Sequence, residues 1–301
     1  MRPDSTARRG IATYLVIAFG GAWLCWAIPL GLGISVRSPL FQLAVLPGGF
    51  APAIAAVIVR KWITGEGFAD AGLHLHLSKW RYYAVALILP YVVVAAIIAE
   101  ASWTGSGQPD LSLLRALRAL VPSGTRLPAR LPVALRLGMP IQFMMTAVIA
   151  SPVLWGEEFG WRGYLQRRWF VQRPLHAAVA TGIVWSVWHF PLLLRGYDYP
   201  ESPLLGLFVF PVDAVFLSII FGWLYHATGS IWAPSLAHAA TNAIGVSLTM
   251  LLFLGGSKLL FVGYLGVLSW IPLGGLAAWI GLTGGPHRLA RLPPPHLARA
   301  A

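Results

Sequence analysis

The chain has 301 residues, of which 57% are hydrophobic and only 11% are charged, and its mean hydropathy is +0.70. Because soluble domains carry roughly 25% charged residues, this composition excludes a soluble domain and predicts an all-α, polytopic membrane bundle. The net charge of +12 is concentrated beside apolar runs, where Lys and Arg set topology and contact anionic headgroups. We therefore expect the lipid bilayer, and no nucleic acid, as a partner. The single cysteine, Cys25, excludes an internal disulfide.

Eight apolar segments are candidates for transmembrane helices, each of which needs about 20 residues to cross a bilayer. In chain order they are residues 11–33, 40–59, 80–103, 139–156, 175–194, 204–225, 231–254 and 258–282. The second segment contains Pro47, Gly48, Gly49 and Pro52, so we expect it to be kinked or broken. The sixth contains Asp213, which we interpret as a residue that pairs helices.

Two terminal tails flank these segments. Residues 1–10 are basic and lead into a full-length apolar segment without a small-residue cleavage site, so we expect a retained first helix and not a removed signal peptide. Residues 283–301 are basic and rich in proline, a composition that predicts disorder. Residues 11–282 then form one membrane domain, without an internal repeat.

The longest connection spans residues 104–138. Within it, residues 111–120 place Arg115 and Arg118 among leucines, a pattern typical of an amphipathic helix that lies in the membrane interface. Eight spans put both termini on one side, together with most of the Lys and Arg, so the positive-inside rule predicts cytoplasmic termini in a multi-pass protein of the cell membrane. The five arginines of this connection conflict with that orientation unless the interfacial helix holds them.

One stretch carries concentrated charge at the end of an apolar run. Residues 155–163 read Trp-Gly-Glu-Glu-Phe-Gly-Trp-Arg-Gly and follow residues 139–155, which contain no charged side chain. A carboxylate at such a position is costly to desolvate and indicates function. On a helix, Glu158 and Arg162 share a face and can pair, while Glu157 is turned roughly 100° away and is free for chemistry.

Two further spans carry polar groups at one-turn spacing. Trp185 and His189 are four residues apart, and so are His238 and Asn242, so each pair is predicted to share a helix face. A lone histidine in a span is often only hydrogen-bonded to a neighbouring helix. Three polar constellations on three segments instead favour a shared cavity inside the bundle.

Several chemistries would use this set of side chains. In hydrolysis, Glu157 and His189 would activate water as general base, and His238 and Asn242 would donate hydrogen bonds to an oxyanion. The alternative is a zinc ion held by Glu157, His189 and His238, although the His-Glu-x-x-His signature is absent. A proton or ion pathway also uses intramembrane Glu and His, but the matching broken helices of an inverted repeat are missing.

The three motifs, taken in order, resemble the CPBP family, which comprises the CAAX prenyl endoproteases and the bacteriocin-processing or immunity proteins of the Abi family. They are Glu-Glu-x-x-x-Arg at residues 157–162, Trp-x-x-x-His at 185–189 and His-x-x-x-Asn at 238–242, and the resemblance covers residues 139–250. The family usually has Phe where this chain has Trp185, so its aromatic wall is bulkier here.

This resemblance implies an eight-helix intramembrane endopeptidase of the glutamic-protease type. The catalytic residues would be Glu157, His189, His238 and Asn242, supported by Glu158, Arg162 and Trp185. We expect no cofactor, but the family has also been described as metalloproteases, so the zinc alternative stays open. The expected substrate is a membrane-associated or lipidated peptide or protein, and the sequence does not indicate the oligomeric state. A non-catalytic adaptor or immunity protein that keeps the same residues is the alternative function.

Overall fold

The structure, a computed structural model, describes residues 5–122, 124–126, 128, 131–256 and 258–284. Throughout these residues the regular secondary structure is helical and contains no strand, which confirms the predicted all-α fold. The α-helices are α1 (Ser5–Gly31), α2 (Pro39–Gly49), α3 (Ala51–Ile58), α4 (Trp80–Thr104), α5 (Leu114–Leu120), α6 (Val133–Gly160), α7 (Gln166–Arg168), α8 (Pro174–Trp188), α9 (Phe190–Leu193), α10 (Pro203–Thr228), α11 (Trp232–Ala240), α12 (Ser247–Phe253), α13 (Leu259–Val262) and α14 (Trp270–Thr283). The chain also forms π-helical segments at Val59–Ile63, Trp161–Leu165 and Thr241–Val246 and 3₁₀ turns at Leu77–Lys79 and Val267–Ser269.

Seven helical stretches in the described residues are long and apolar enough to cross a membrane, which confirms a polytopic bundle. They are Ser5–Gly31, Pro39–Ile63, Leu77–Thr104, Val133–Arg168, Pro203–Thr228, Trp232–Phe253 and Leu259–Thr283. The second of them is broken at Phe50, between α2 and α3, as its prolines and glycines predict.

The fifth predicted span, residues 175–194, does not form one long helix. Its helix α8 has 15 residues and ends at Trp188, before the four-residue α9, so α8 alone reaches only about 22 Å at 1.5 Å per residue. Pro191 explains the break, because a proline inside the turn cannot donate the next helical hydrogen bond. The segment is helical, as predicted, but it forms two consecutive helices and not one continuous helix.

The α8–α9 pair nevertheless runs from one end of the bundle to the other. Leu175, at the start of α8, packs against Gly281 near the end of α14. The Tyr199 hydroxyl, just after α9, donates to the carbonyl of Leu265, before α14. Because α14 itself belongs to a spanning stretch, α8–α9 runs antiparallel to it over a comparable height.

The two tails and the long connection differ in part from expectation. α1 begins at Ser5, so half of the predicted tail at residues 1–10 is helical, and all but two residues of the tail at 283–301 lie outside the described part of the chain. A helix is confirmed within this connection as α5, whose first turn is capped by Asp110 through the backbone N–H of Arg115, with N to Oδ2 at 2.7 Å. Its position relative to a membrane stays a prediction.

Asp213 pairs helices, as predicted. Its carboxylate accepts a hydrogen bond from the Ser269 hydroxyl at 2.6 Å and one from the Trp270 indole N–H at 3.3 Å. A buried carboxylate needs such donors because water is excluded from the core. Asp213 therefore ties α10 to the start of α14.

Glycines bring the end of α6 against the break between α2 and α3. A methyl group on Gly160 would lie 2.6 Å from the carbonyl carbon of Pro52, and one on Gly156 would lie 2.7 Å from the Phe50 ring. Small residues at these two positions, one turn apart, allow the close backbone approach that membrane helices use for packing. The helix turn between them carries the adjacent glutamates, Glu157 and Glu158.

We predict that Gly160→Ala lowers the free energy of unfolding by about 1–3 kcal/mol, because the added methyl group overpacks the contact with Pro52. Thermal unfolding in detergent measures the effect. The matched control is Gly275→Ala in α14, where a methyl group would meet nothing within 4 Å. Equal stability of the two variants would show that the α3–α6 contact is not tight.

Candidate active site

Glu158 and Arg162 form the predicted ion pair at the end of α6. An Nη1–H of Arg162 donates to Glu158 Oε1 at 2.8 Å, and both side chains are fully buried. Arg162 belongs to the π-helical segment Trp161–Leu165 that continues α6. π-helical segments are frequent at functional sites. The spacing of Glu158 and Arg162 in the sequence does not predict the π-helical segment found here.

The same carboxylate oxygen binds a second group. His238 Nδ1 lies 2.9 Å from Glu158 Oε1, so a carboxylate on α6 joins the third motif on α11 to the first. A buried carboxylate is tolerated only when cations and hydrogen-bond donors compensate its lost hydration. Glu158 is therefore fixed by two partners and is not available to a substrate.

Glu157 points elsewhere and keeps a free oxygen. Its Oε2 accepts a hydrogen bond of 2.8 Å from the Trp185 indole N–H, while Oε1 has no hydrogen bond within the described residues. Glu157 retains 9% of its exposure, against 0% for Glu158. The prediction that the two neighbouring glutamates have different environments is thus confirmed.

His189 follows the last turn of α8 and is held in one tautomer. Its Nδ1 lies 2.9 Å from the carbonyl oxygen of Trp185. Since a carbonyl can only accept, Nδ1 carries the hydrogen, and the neutral ring keeps its lone pair on Nε2. The rings of Trp188 and Phe210 lie 4.8 and 5.0 Å away, centroid to centroid, and restrict the imidazole further.

Trp185 contacts the other polar side chains of the site, namely Glu157, Arg162, His189 and His238, but not Glu158. Its ring centroid lies 5.6 Å from that of His189 and 5.2 Å from that of His238, both in edge-to-face geometry. The Arg162 guanidinium carbon is 4.7 Å from the same ring, within cation–π range. The sequence predicts an aromatic wall here, but not that its indole N–H would hold Glu157.

Asn242 is the predicted site residue that the structure leaves apart. It lies in the π-helical segment Thr241–Val246. Because a π-helical turn is wider than an α-helical turn, Asn242 does not share a helix face with His238 as the four-residue spacing predicts. Its side chain is exposed and makes no hydrogen bond among the described residues, whereas His238 is buried. Its amide group is therefore free to meet another molecule, and its assignment to the site stays a prediction.

The alternative zinc set can be tested against the geometry. Within the described residues, no three His, Cys, Asp or Glu side chains lie close enough together to hold a metal ion. One oxygen of Glu157 is already engaged by Trp185. Glu157, His189 and His238 thus do not fit a metal ion in this arrangement.

Sequence comparisons agree with this site. Residues 137–244 match the family described as "Type II CAAX prenyl endopeptidase Rce1-like", a range that contains all three motifs. The chain is also 27% identical over 229 residues to "CAAX prenyl protease 2" of Methanococcus maripaludis, an alignment that covers 71% of this chain and 72% of that protein. Both findings confirm the resemblance drawn from the motifs.

We predict losses of stability of different size for the two adjacent glutamates. Glu158→Gln leaves the buried Arg162 without its counterion and should cost about 3–5 kcal/mol of unfolding free energy. Glu157→Gln keeps an oxygen that accepts the Trp185 N–H, so it should cost less than about 1 kcal/mol. Thermal unfolding of both variants in the same detergent makes the comparison, and a larger loss for Glu157→Gln would contradict the assignment of their partners.

Proposed function

We propose that this chain, a CAAX prenyl protease-like intramembrane endopeptidase, hydrolyses a peptide bond of a membrane-associated or lipidated peptide, with Glu157 and His189 activating the attacking water. The observation that carries the proposal is the hydrogen bond from Trp185 to Glu157, made by the residue whose own carbonyl orients His189. One tryptophan thereby holds a carboxylate and an imidazole in fixed relation.

The two groups suit general-base catalysis. The free Oε1 of Glu157 and the lone pair on His189 Nε2 are both proton acceptors, and a water between them would lose its proton as its oxygen attacks the peptide carbonyl. The tetrahedral intermediate then collapses, and the proton held by the base passes to the departing amine. Peptide and water become one carboxyl and one amino terminus, so the base returns to its starting state.

His238 and Asn242 are proposed to stabilise the oxyanion. Because Glu158 engages His238 Nδ1, only Nε2 can face a substrate, and it donates a hydrogen bond only when the ring is doubly protonated. The carboxylate of Glu158 offsets the resulting positive charge. The exposed amide of Asn242 would supply the second donor, and preorganised donors of this kind act strongly in a site that excludes water.

The reaction is proposed to need no metal ion, as a glutamic protease and not a metalloprotease. Arg162 and the donors to both glutamates supply the charge compensation that a metal would otherwise provide. The support for this proposal is that Glu157, His189 and His238 do not form a group that could hold a metal ion in the described part of the chain.

The proposed location is the cell membrane, with both termini in the cytoplasm. Gly10 of α1 contacts Tyr164, and Gly281 of α14 contacts Leu175. Gln166, two residues after Tyr164, lines one cavity with Leu175 and Ile280, so both described ends of the chain lie at one end of the bundle. The same end carries Arg60, Arg167 and Arg168, which meet at Asp70, and Lys61, which follows Arg60. An excess of Lys and Arg favours the cytoplasmic side.

Glu157→Gln should lower turnover by about a hundredfold to ten-thousandfold, since the amide cannot accept the water proton. The assay is cleavage of an internally quenched peptide in proteoliposomes, made with and without an attached lipid chain. Glu201→Gln, in the exposed loop before α10, serves as the matched control and should be fully active. Turnover of Glu157→Gln at the wild-type rate would refute the proposed role.

Metal removal gives an independent test. Treatment of the purified protein with a zinc chelator should leave turnover unchanged, and elemental analysis should find far less than one zinc per chain. Activity that is lost on chelation and restored by added zinc would instead favour the metalloprotease alternative.

A further inference from the structure

The segment at residues 64–76, which follows the second spanning stretch, is attached to the elements that carry the site. The carbonyl of its Gly72 accepts the backbone N–H of Ile231 at 2.8 Å, at the start of the helix that carries His238. The carbonyl of Leu73 accepts the Trp232 indole N–H at 3.0 Å. We call residues 64–76 the connecting segment; sequence patterns indicate no function for it.

Arg60 links this segment to the first motif. Its Nη1 donates to the carbonyl of Gly67 at 2.6 Å and to Asp70 Oδ1 at 2.7 Å. Its Nη2 donates to the carbonyl of Gly163 at 3.1 Å, the residue that follows Arg162. The position of Arg60 in the sequence, after an apolar run, suggests a solvated charge at a helix end. The side chain is instead fully buried.

Asp70 is the anion at the centre of this arrangement. Its carboxylate lies 2.7 Å from Arg60, 3.4 Å from Arg168 and 3.6 Å from Arg167. Burial alone would raise the pKa of Asp70, but the hydrogen bond and charge of Arg60 and the charges of the other two arginines bring it below its ordinary value. Asp70 is therefore ionised at neutral pH and keeps Arg60 in place.

A continuous set of contacts connects Asp70 with the site. Arg60 holds the Gly163 carbonyl inside the π-helical segment, Arg162 in the same segment binds Glu158, and Glu158 binds His238. A shift of the Gly163 backbone would move Arg162 and hence the Glu158 carboxylate. Displacements of about 1 Å that originate far from the chemistry can cost a hundredfold in rate.

We propose that Asp70 and Arg60 are positioning residues of the catalytic centre, which act through the Gly163 carbonyl on Arg162 and Glu158. The proposal rests on the proposed function, and neither residue touches the substrate. A solvated ion pair would contribute little. Arg60 is instead fully buried and donates to the Gly67 carbonyl, to both carboxylate oxygens of Asp70 and to the Gly163 carbonyl, so it fixes both of the backbone segments that it joins.

The test compares Asp70→Asn and Arg60→Lys with the wild type in proteoliposomes. Lysine keeps the charge but lacks the planar fork that reaches Asp70 and Gly163 together, so the second variant remains informative should Asp70→Asn fail to fold. We expect kcat to fall about 10- to 100-fold with KM unchanged. We also expect faster backbone hydrogen exchange in residues 159–168, measured by mass spectrometry.

Asp110→Asn is the matched control. Asp110 also pairs with an arginine, Arg115, and its side chain is 12% exposed against 10% for Asp70, but it lies next to α5, at the other end of the bundle. We expect wild-type kcat and wild-type exchange in residues 159–168 for this variant. An equal loss of kcat in Asp110→Asn would overturn the proposal, because it would show a general effect of losing an aspartate that pairs with an arginine.

Hydrogen exchange separates this proposal from the proposed function, because it needs no substrate. Wild-type protein that cleaves no peptide would refute the proposed function alone. Wild-type exchange in residues 159–168 of both folded variants would overturn the positioning role, whether or not the protein cleaves peptides.

Discussion

The structure depends on one buried carboxylate oxygen, Glu158 Oε1, which binds Arg162 at 2.8 Å and His238 at 2.9 Å. His238 lies 80 residues from Glu158 in the chain, on a different helix. An ionised carboxylate inside a bundle is stable only with such compensation, and loss of its counterion Arg162 leaves a buried charge unpaired. The same interaction therefore determines helix packing and the geometry of the site.

The neighbouring glutamate has the opposite character because its environment differs. Trp185 engages one oxygen of Glu157 and leaves the other free. Two identical side chains thus become a structural anion and a candidate base, since Glu158 is fully buried and binds Arg162 and His238, whereas Glu157 is 9% exposed and accepts one hydrogen bond from Trp185. Environment, and not residue type, assigns roles to paired carboxylates.

Local patterns predict much of this arrangement. Apolar runs identify the spanning stretches, the prolines and glycines after residue 46 predict the break at Phe50, and the i,i+4 spacing predicts the Glu158–Arg162 pair. The family match over residues 137–244 agrees with the resemblance of the three motifs. These features depend on residues close together in the sequence, so the sequence alone is sufficient to derive them.

Long-range features are not predictable in this way. The bond between Glu158 and His238, the donation from Trp185 to Glu157 and the contact of Arg60 with Gly163 join residues 28 to 103 positions apart. Nothing in the spacing of one motif specifies its partner in another. The π-helical segments also follow from tertiary packing. The early end of α8 follows from Pro191, whose effect on the helix a hydropathy profile does not include.

A double-mutant cycle on Glu158 and His238 tests the central claim most directly. The free energy of unfolding is measured for the wild type, Glu158→Gln, His238→Gln and the double variant in one lipid environment. Residues in contact couple by about 0.5–3 kcal/mol, and this account predicts a favourable coupling in that range. Additive losses, with no coupling between the two positions, would show that this carboxylate does not join the two motifs.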